Sequence, residues 1–418
     1  MLNETKKFAF SYFSKVWIEN LIVWWLLNMA MKSKFTIAIG VVVIIIIIAV
    51  GIFAYRNMNY DYLNERFLEK KGYKLGFTEN TAKLNDGSEI YYIEGPNNGP
   101  KLLLLHGQQV SCYDYAKVLP KLSKEFHVFA LDYYGHGKSS KNPDKYNAAE
   151  IGNDIIWFIK NIIKEKIYIS GHSSGALLAA YISANAPDCI IATILEDGPF
   201  FSTLPNRAEK TIAWLEFKNM YNYLNQNEIV SFMEYSLEYN YMQEIFNAKD
   251  PQAWNKVIKN PALKYLEKHP GEIPIIWYYP PKLGINTIYA LNANMQDGTG
   301  KYDLRFGLTF YDFSWFEGFD TEEILKNIKS PTIVMHVAPS EITAPSYYDK
   351  NGVLLAAMDE KDFQKVIDLV SNSKYVGGFK SAHNIHADLP NEYIEVLLDL
   401  KNQIENNNKL NLKWKEFL

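Results

Sequence analysis

Cysteine is nearly absent from this 418-residue chain, which has only Cys112 and Cys189. Two are too few for a disulfide framework, and no Cys/His cluster has the spacing of a structural zinc site. Both are read as small buried hydrophobes. An excess of one charge is missing as well. The 43 Lys and Arg stand against 47 Asp and Glu, giving a net charge of −4 with the signs interspersed. That removes the electrostatic footprint of a nucleic-acid partner. Glycine loops for dinucleotides or phosphates are lacking too. Gly171-His172-Ser173-Ser174-Gly175 has neither the lysine nor the spacing of a P-loop, so no cofactor is expected. Outside one apolar segment there is no low-complexity tract, and no internal repeat is visible.

What is present suits a large globular domain. Hydrophobic residues make up 48% and charged residues 22%, ordinary values, while aromatics reach 15%. The N-terminus is set apart. From Phe35 to Tyr55 the 21 residues FTIAIGVVVIIIIIAVGIFAY carry no charge, and as a helix they would be about 31 Å long, the hydrocarbon thickness of a bilayer. A membrane anchor is expected over 35–55. The alternatives are a buried soluble helix, which β-branched runs form poorly, and a cleavable signal peptide at Ala49-Val50-Gly51, for which the apolar run is too long. Lys32 and Lys34 precede the run and Arg56 follows it, which favours an inside N-terminus and an extracytoplasmic main domain at the cell membrane. Arg66, Lys70 and Lys71 weaken that bias. Met29 or Met31, followed by Lys-Ser-Lys, reads as the natural start of a signal anchor. The segment 1–34 is therefore suspected to hold residues ahead of the true start. A competing transmembrane hairpin with Ile18–Met31 would leave the rest of the chain in the cytoplasm.

Residues 56–77 are Lys/Glu-rich and read as a juxtamembrane spacer. Beyond them β-type runs alternate with helical stretches, the sign of a parallel sheet covered by helices. Strands are expected at Glu89–Ile93, Lys101–Leu105, Val128–Leu131, Ile167–Ile169, Ile190–Leu195, Thr332–Met335 and near Tyr375. Helices are expected near 113–125, 147–164, 174–186 and 391–405. The rhythm breaks over 198–318, where 24 aromatics fall in 121 positions, against the lower chain average. Such an insertion reads as a helical cap, broken at Trp277-Tyr278-Tyr279-Pro280-Pro281. The core is then 78–197 plus 319–418.

Chemistry enters at Ile167–Gly175, IYISGHSSG, followed by the helix-forming ALLAAYIS. A strand that turns sharply into a helix needs glycines on both flanks, and it lifts the Ser173 hydroxyl clear of the sheet. The strand KLLLL ends in His106-Gly107-Gln108, a place from which the Gln108 N–H and the Ser174 N–H can converge on an oxyanion. The turn Asp132–Ser139 beside them, with His106 and His136, is read as structural. A serine hydroxyl needs a base. His383, in Lys380-Ser381-Ala382-His383-Asn384-Ile385-His386, follows the last strand and returns to the carboxyl edge of the sheet. His386 is read as structural.

In order, HGQ, LDYYGHGKS, GHSSG, the insertion, FDTEEILKNIKSPTIVMH and SAHNIHADLP resemble the α/β-hydrolase superfamily over residues 78–405. The resemblance implies an α/β fold with Ser173 as nucleophile, His383 as general base and then acid, and Gln108 and Ser174 as oxyanion donors. It departs from the family at the acid. After PTIVMH, relatives commonly carry a Gly-x-x-Asp turn, where this chain has Val337-Ala338-Pro339-Ser340-Glu341. The substitutes are Glu341, Asp349 and the pair Glu196-Asp197, the last resembling the placement in certain haloalkane dehalogenases. Asp197 is chosen, with a turn-capping role before Gly198-Pro199 as its rival.

The expected function is a membrane-anchored hydrolase of a small-molecule ester, working through an acyl-enzyme on Ser173. The aromatic insertion leans toward an apolar ester if it lines the pocket, and toward nothing if it is the insertion's own core. Peptidase, amidase or acyltransferase chemistry uses the same machinery. A membrane-tethered binding protein that has lost catalysis is the alternative of another class, favoured only by the displaced acid. Aspartate-nucleophile chemistry, as in dehalogenases and epoxide hydrolases, is disfavoured by serine at the elbow. Oligomeric state is not legible.

Overall fold

An uncharged run of Val and Ile with no proline has nothing to stop a helix, and one long helix forms. The computed structural model describes residues 19–25, 34–227, 230–295, 301–339 and 345–406. The chain divides into two compact units, Met1–Tyr60 with Ile275–Leu283, and Asp61–Pro274 with Gly284–Leu418.

In the first unit α1 spans Lys34–Met58, three residues past the expected end, because Arg56-Asn57-Met58 contains no helix breaker. Its stretch Ile39–Met58 is long and apolar enough to cross a membrane. The side chains of Val42, Ile45, Ile46 and Ile48 all face outward. An apolar helix that protein does not cover is costly in water and suited to lipid. Residues 19–25 are also helical, and the Trp25 indole lies where a Cβ on Gly40 would be. The rest of 1–33, including the suspected start at Met29 or Met31 and the turn of a hairpin, falls outside the described residues.

The second unit holds an eight-stranded sheet: β1 Thr78–Lys83, β2 Glu89–Glu94, β3 Lys101–Leu105, β4 His127–Leu131, β5 Ile167–His172, β6 Ile190–Glu196, β7 Thr332–Val337 and β8 Ser373–Phe379. The spatial order is β1-β2-β4-β3-β5-β6-β7-β8. β1–β2 and β2–β4 are antiparallel and all other pairs parallel. The central strands β3, β4 and β5 are buried at every position, as continuous apolar runs between two helical layers must be. One layer includes α2 Ala148–Phe158, α3 Ser174–Asn185 and α9 Thr321–Asn327; it closes a core with Leu103, Phe158, Leu177 and Val334. The other includes α11 Pro390–Glu405, over Leu104, Phe126, Ile194 and Leu397.

Three features depart from the sequence reading. β1, the polar run TENTAK, forms an edge strand with only Ala82 buried. A helix over Glu360–Leu369, α10, packs Phe363 and Val366 inward. The expected spacer is folded from residue 61 onward: Phe67, Leu68 and Phe77 are buried, with the Phe67 and Phe77 rings edge-on at 5.5 Å. Three large apolar side chains outweigh the local Lys/Glu content.

Between β6 and β7 lie α4 Ile212–Leu224, α5 Phe232–Tyr239, α6 Asn260–Leu266, α7 Ile285–Asn294 and α8 Leu304–Tyr311. Some aromatics of this insertion pack within it, while others, Phe217, Phe306 and Phe310 among them, join the core on one face of the sheet. Trp254 is buried and donates Nε1–H to the Leu237 carbonyl at 2.8 Å. Tyr289 donates to the Ile258 carbonyl at 2.6 Å. Phe217 and Phe310, in the sheet-side core, lie with tilted rings 5.4 Å apart. Their abundance therefore says little about a substrate pocket.

Candidate active site

The sharp turn from β5 into α3 is set by backbone sterics. A Cβ on Gly171 would run into the Gly175 carbonyl, and one on Gly175 into the carbonyls of Leu105 and His106. Between them Ser173 holds φ 55° and ψ −122°, a conformation that costs a non-glycine residue free energy and persists only when its surroundings enforce it. Its N–H is tied to the Glu196 carbonyl at 3.0 Å. Ser174 opens α3, so its N–H has no partner within the helix and adds to the positive helix end. The Ser174 hydroxyl meets the Tyr133 hydroxyl at 2.9 Å.

Gln108 lies just beyond β3. Its side-chain carbonyl accepts from Tyr302 Oη at 2.8 Å, and the next residue, Gln109, has φ 69°. These two features fix the path of the loop beside Ser173. The turn after β4 has the structural role assigned to it: buried Asp132 accepts from the N–H groups of Cys112 (2.7 Å) and Lys138 (2.9 Å). His106 bonds the Gly107 carbonyl and His136 the Tyr134 carbonyl.

His383, on the loop after β8, is partly exposed, and its Nδ1 donates to Asp197 Oδ2 at 2.7 Å. Asp197, completely buried after β6, adopts φ 45°. Its Oδ1 accepts from His336 Nδ1 at 3.1 Å. Burial alone would raise the Asp197 carboxyl, but its hydrogen bonds to His336 and His383 and the attraction of those rings outweigh it. The carboxyl is held well below its ordinary range. An ionised carboxylate on Nδ1 fixes the tautomer that leaves Nε2 of His383 able to accept a proton. Of the other acids considered, Asp349 is occupied by Tyr241 Oη (2.7 Å) and by the N–H groups of Asn351 and Val353. Glu341 lies outside the described residues.

Glu196 serves a different purpose. His386, fully buried in the helical turn Ile385–Asp388, donates Nδ1–H to Glu196 at 2.9 Å and Nε2–H to Asp114 Oδ2 at 3.0 Å. Its backbone N–H also reaches Glu196, at 2.8 Å. Burial works against charge on His386, yet the two carboxylates prevail and lift its pKa to about 10. Asp114, whose burial acts the opposite way, is held down to about 2, with His386 the leading cause. Asn384 adds a bond to Asp114 at 3.1 Å. His172, kept neutral by burial and by neighbouring His383 and His386, donates Nε2–H to the His383 carbonyl at 3.1 Å. The loop carrying His383 is thus pinned on both sides. Asp114, His172 and His386 bring ligand-type atoms within 4.8 Å of one another. In this cluster both ring nitrogens of His386 are engaged by carboxylates, Nδ1 by Glu196 and Nε2 by Asp114. The sequence reading did not single out His336, and gave His386 a structural role without its partners. Nothing in the local sequence marks His336, which sits inside the apolar strand TIVMHV.

A family model of the alpha/beta hydrolase fold matches residues 100–357. Curated proteins to which the chain is similar include a soluble epoxide hydrolase of Corynebacterium sp. (28% identical over 113 residues, 27% of this chain and 39% of that protein). A 2-(acetamidomethylene)succinate hydrolase of Mesorhizobium japonicum is 29% identical over 124 residues, 29% of this chain and 45% of that protein. The chain spans less than half the length of these relatives. Among solved structures it is similar to a membrane phospholipase A, a bacterial virulence factor, at TM-score 0.52 and 18% identity over 87% of this chain and 97% of that one. A hydrolase from Pseudomonas aeruginosa matches at TM-score 0.51 and 18% identity, over 78% of this chain and 98% of that one. With the family match extending from just before β3 to beyond β7, and with helices on both faces of a mostly parallel sheet, this chain belongs to the alpha/beta hydrolase fold family.

Proposed function

We propose that the chain is a membrane-anchored serine hydrolase that cleaves a carboxylic ester, with Ser173 as nucleophile, His383 as base and Asp197 as the acid that orients it. The observation that carries this reading is the 2.7 Å contact between buried Asp197 and His383 Nδ1, on a loop returning to the sheet edge where Ser173 occupies a strained turn. In the first half-reaction Ser173 Oγ attacks the ester carbonyl carbon and passes its proton to His383 Nε2. The oxyanion so formed accepts from the N–H groups of Gln108 and Ser174, each worth about 3–4 kcal/mol in the transition state. The C–O bond to the alcohol breaks, and the alcohol leaves with the proton from His383. Water, giving a proton to the same nitrogen, then attacks the acyl carbon; the C–O bond to Ser173 breaks, His383 returns the proton to Ser173 Oγ, and the carboxylic acid leaves.

Residues 198–318 are proposed as the cap over this site, with 78–197 and 319–418 as the catalytic core. α1 is proposed to span the cell membrane once. The basic residues ahead of it support an extracytoplasmic catalytic domain. Tethering to a bilayer favours an apolar ester, whose local concentration is highest there. The ester class itself comes from serine chemistry, since the likeness to a membrane phospholipase A is one of fold.

A substrate panel tests the assignment. Full-length protein in detergent micelles is expected to turn over nitrophenyl esters of short, medium and long acyl chains. It should turn over nitroanilides of the same acids far more slowly, and styrene oxide not at all. Epoxide opening without ester turnover would remove the ester assignment in favour of the chemistry named for one of the similar proteins.

A further inference from the structure

The segment Ile275–Leu283, IIWYYPPKL, has no part in the chemistry above. It belongs to the same compact unit as α1. The Asn57 side chain, in the last turn of α1, donates to the Trp277 carbonyl at 2.8 Å. Asn57 and Ala54, one turn apart on that helix, are its buried positions near this end. Two consecutive prolines stiffen the segment. Tied down in this way, it still turns apolar surface outward: Trp277 is 44%, Tyr278 45% and Leu283 58% exposed. The rings of Trp277, Tyr278 and Tyr279 form an edge-on cluster, with centroids 5.4 and 4.6 Å apart.

We infer that Ile275–Leu283 is a second membrane contact, which places Trp277, Tyr278 and Leu283 in the headgroup layer of a lipid bilayer. The inference rests on the proposal that α1 spans that bilayer. If the apolar stretch Ile39–Met58 fills the hydrocarbon, Asn57 stands at one of its polar boundaries, and a segment hydrogen-bonded to Asn57 lies at the same depth. Tryptophan and tyrosine collect at that depth, because their rings are apolar while the indole N–H and phenol O–H remain wet. Lys282 and Arg56 supply the cationic side chains that pair with lipid phosphates in such a layer. In water Trp277, Tyr278 and Leu283 would form an exposed apolar patch.

The test uses the full chain, with Cys189→Ser as background, reconstituted into phosphatidylcholine–phosphatidylglycerol vesicles. A polarity-sensitive fluorophore is attached at Tyr278→Cys, or at Ile46→Cys in α1 as the depth reference. Lipids spin-labelled near the ester end or the methyl end of the acyl chain, and aqueous iodide, serve as quenchers. The inference predicts that the Tyr278→Cys probe is quenched most by the shallow label and is shielded from iodide. The Ile46→Cys probe is quenched most by the deep label. A deep Ile46→Cys probe with a Tyr278→Cys probe open to iodide overturns the inference and leaves the span of α1 standing. If both probes are open to iodide, the span and the inference fall together.

Discussion

Replacing Asp197 by asparagine is expected to lower kcat for ester hydrolysis about 10⁴-fold, the cost of removing the orienting carboxylate from a serine–histidine pair. Asparagine matches the shape of aspartate but offers a donor where His383 Nδ1–H needs an acceptor. The ring is then favoured in the tautomer that places a proton on Nε2, the nitrogen that must take the one from Ser173. Fold stability is expected to change much less than activity, since His336 still finds an oxygen at 3.1 Å by rotation of the amide. Asp349→Asn is the internal comparison. Asp349 is spent on Tyr241 and on its own turn, so its variant should keep kcat within about twofold, as surface changes away from a site do. Measuring kcat for both, beside Glu341→Gln, decides among the acids. A large loss in Asp349→Asn or Glu341→Gln, with Asp197→Asn near wild type, would assign the role elsewhere.

His386→Leu is expected to have the largest effect on stability. It leaves buried Glu196 and half-buried Asp114 without their cation, and stranding a buried charge costs about 3–5 kcal/mol. Melting of the full chain in lipid nanodiscs should fall by roughly 10 °C, taking about 2–4 °C per kcal/mol for a large domain. pH supplies a second readout. The folded pKa of His386, about 10, exceeds its ordinary 6.5. The stabilisation is therefore complete below about pH 6.5 and is lost as pH rises toward 10. Asp114 behaves oppositely: held down to about 2 from 3.8, it stabilises above pH 3.8 and loses that contribution as pH falls through 2. Wild-type melting temperature should thus decline from neutral to alkaline pH, with a slope that His386→Leu lacks. Equal slopes in the two proteins would show that the network holds no proton.

The elbow around Ser173 was legible because its constraint is local: two glycines, a strand before and a helix after are consecutive in sequence. The buried strands β3, β5 and β6 were legible for the same reason, as unbroken apolar runs. β1 was not, since an edge strand with one buried side chain has no pattern to distinguish it from a loop. Residues 61–77 were misread as a spacer because composition counts exposed lysines as heavily as the three side chains, Phe67, Leu68 and Phe77, that reach the core. The site shows the same division. Asp197 could be named as a candidate, but only the fold brings it within 2.7 Å of His383, 186 positions away. The division of labour between adjacent residues, Glu196 to His386 and Asp197 to His383, depends on which way each side chain leaves the end of β6. The aromatic insertion is the converse case, where an abundant signal is spent on packing, within the insertion and against the sheet-side core.

The most direct test of the account is covalent labelling. Full-length protein treated with a fluorophosphonate, which traps an activated serine hydroxyl, is digested and the modified peptide located by mass spectrometry. The account predicts one adduct, on Ser173, absent from Ser173→Ala and formed much more slowly in His383→Ala. An adduct on another residue, or none in protein that is folded by circular dichroism, would contradict it.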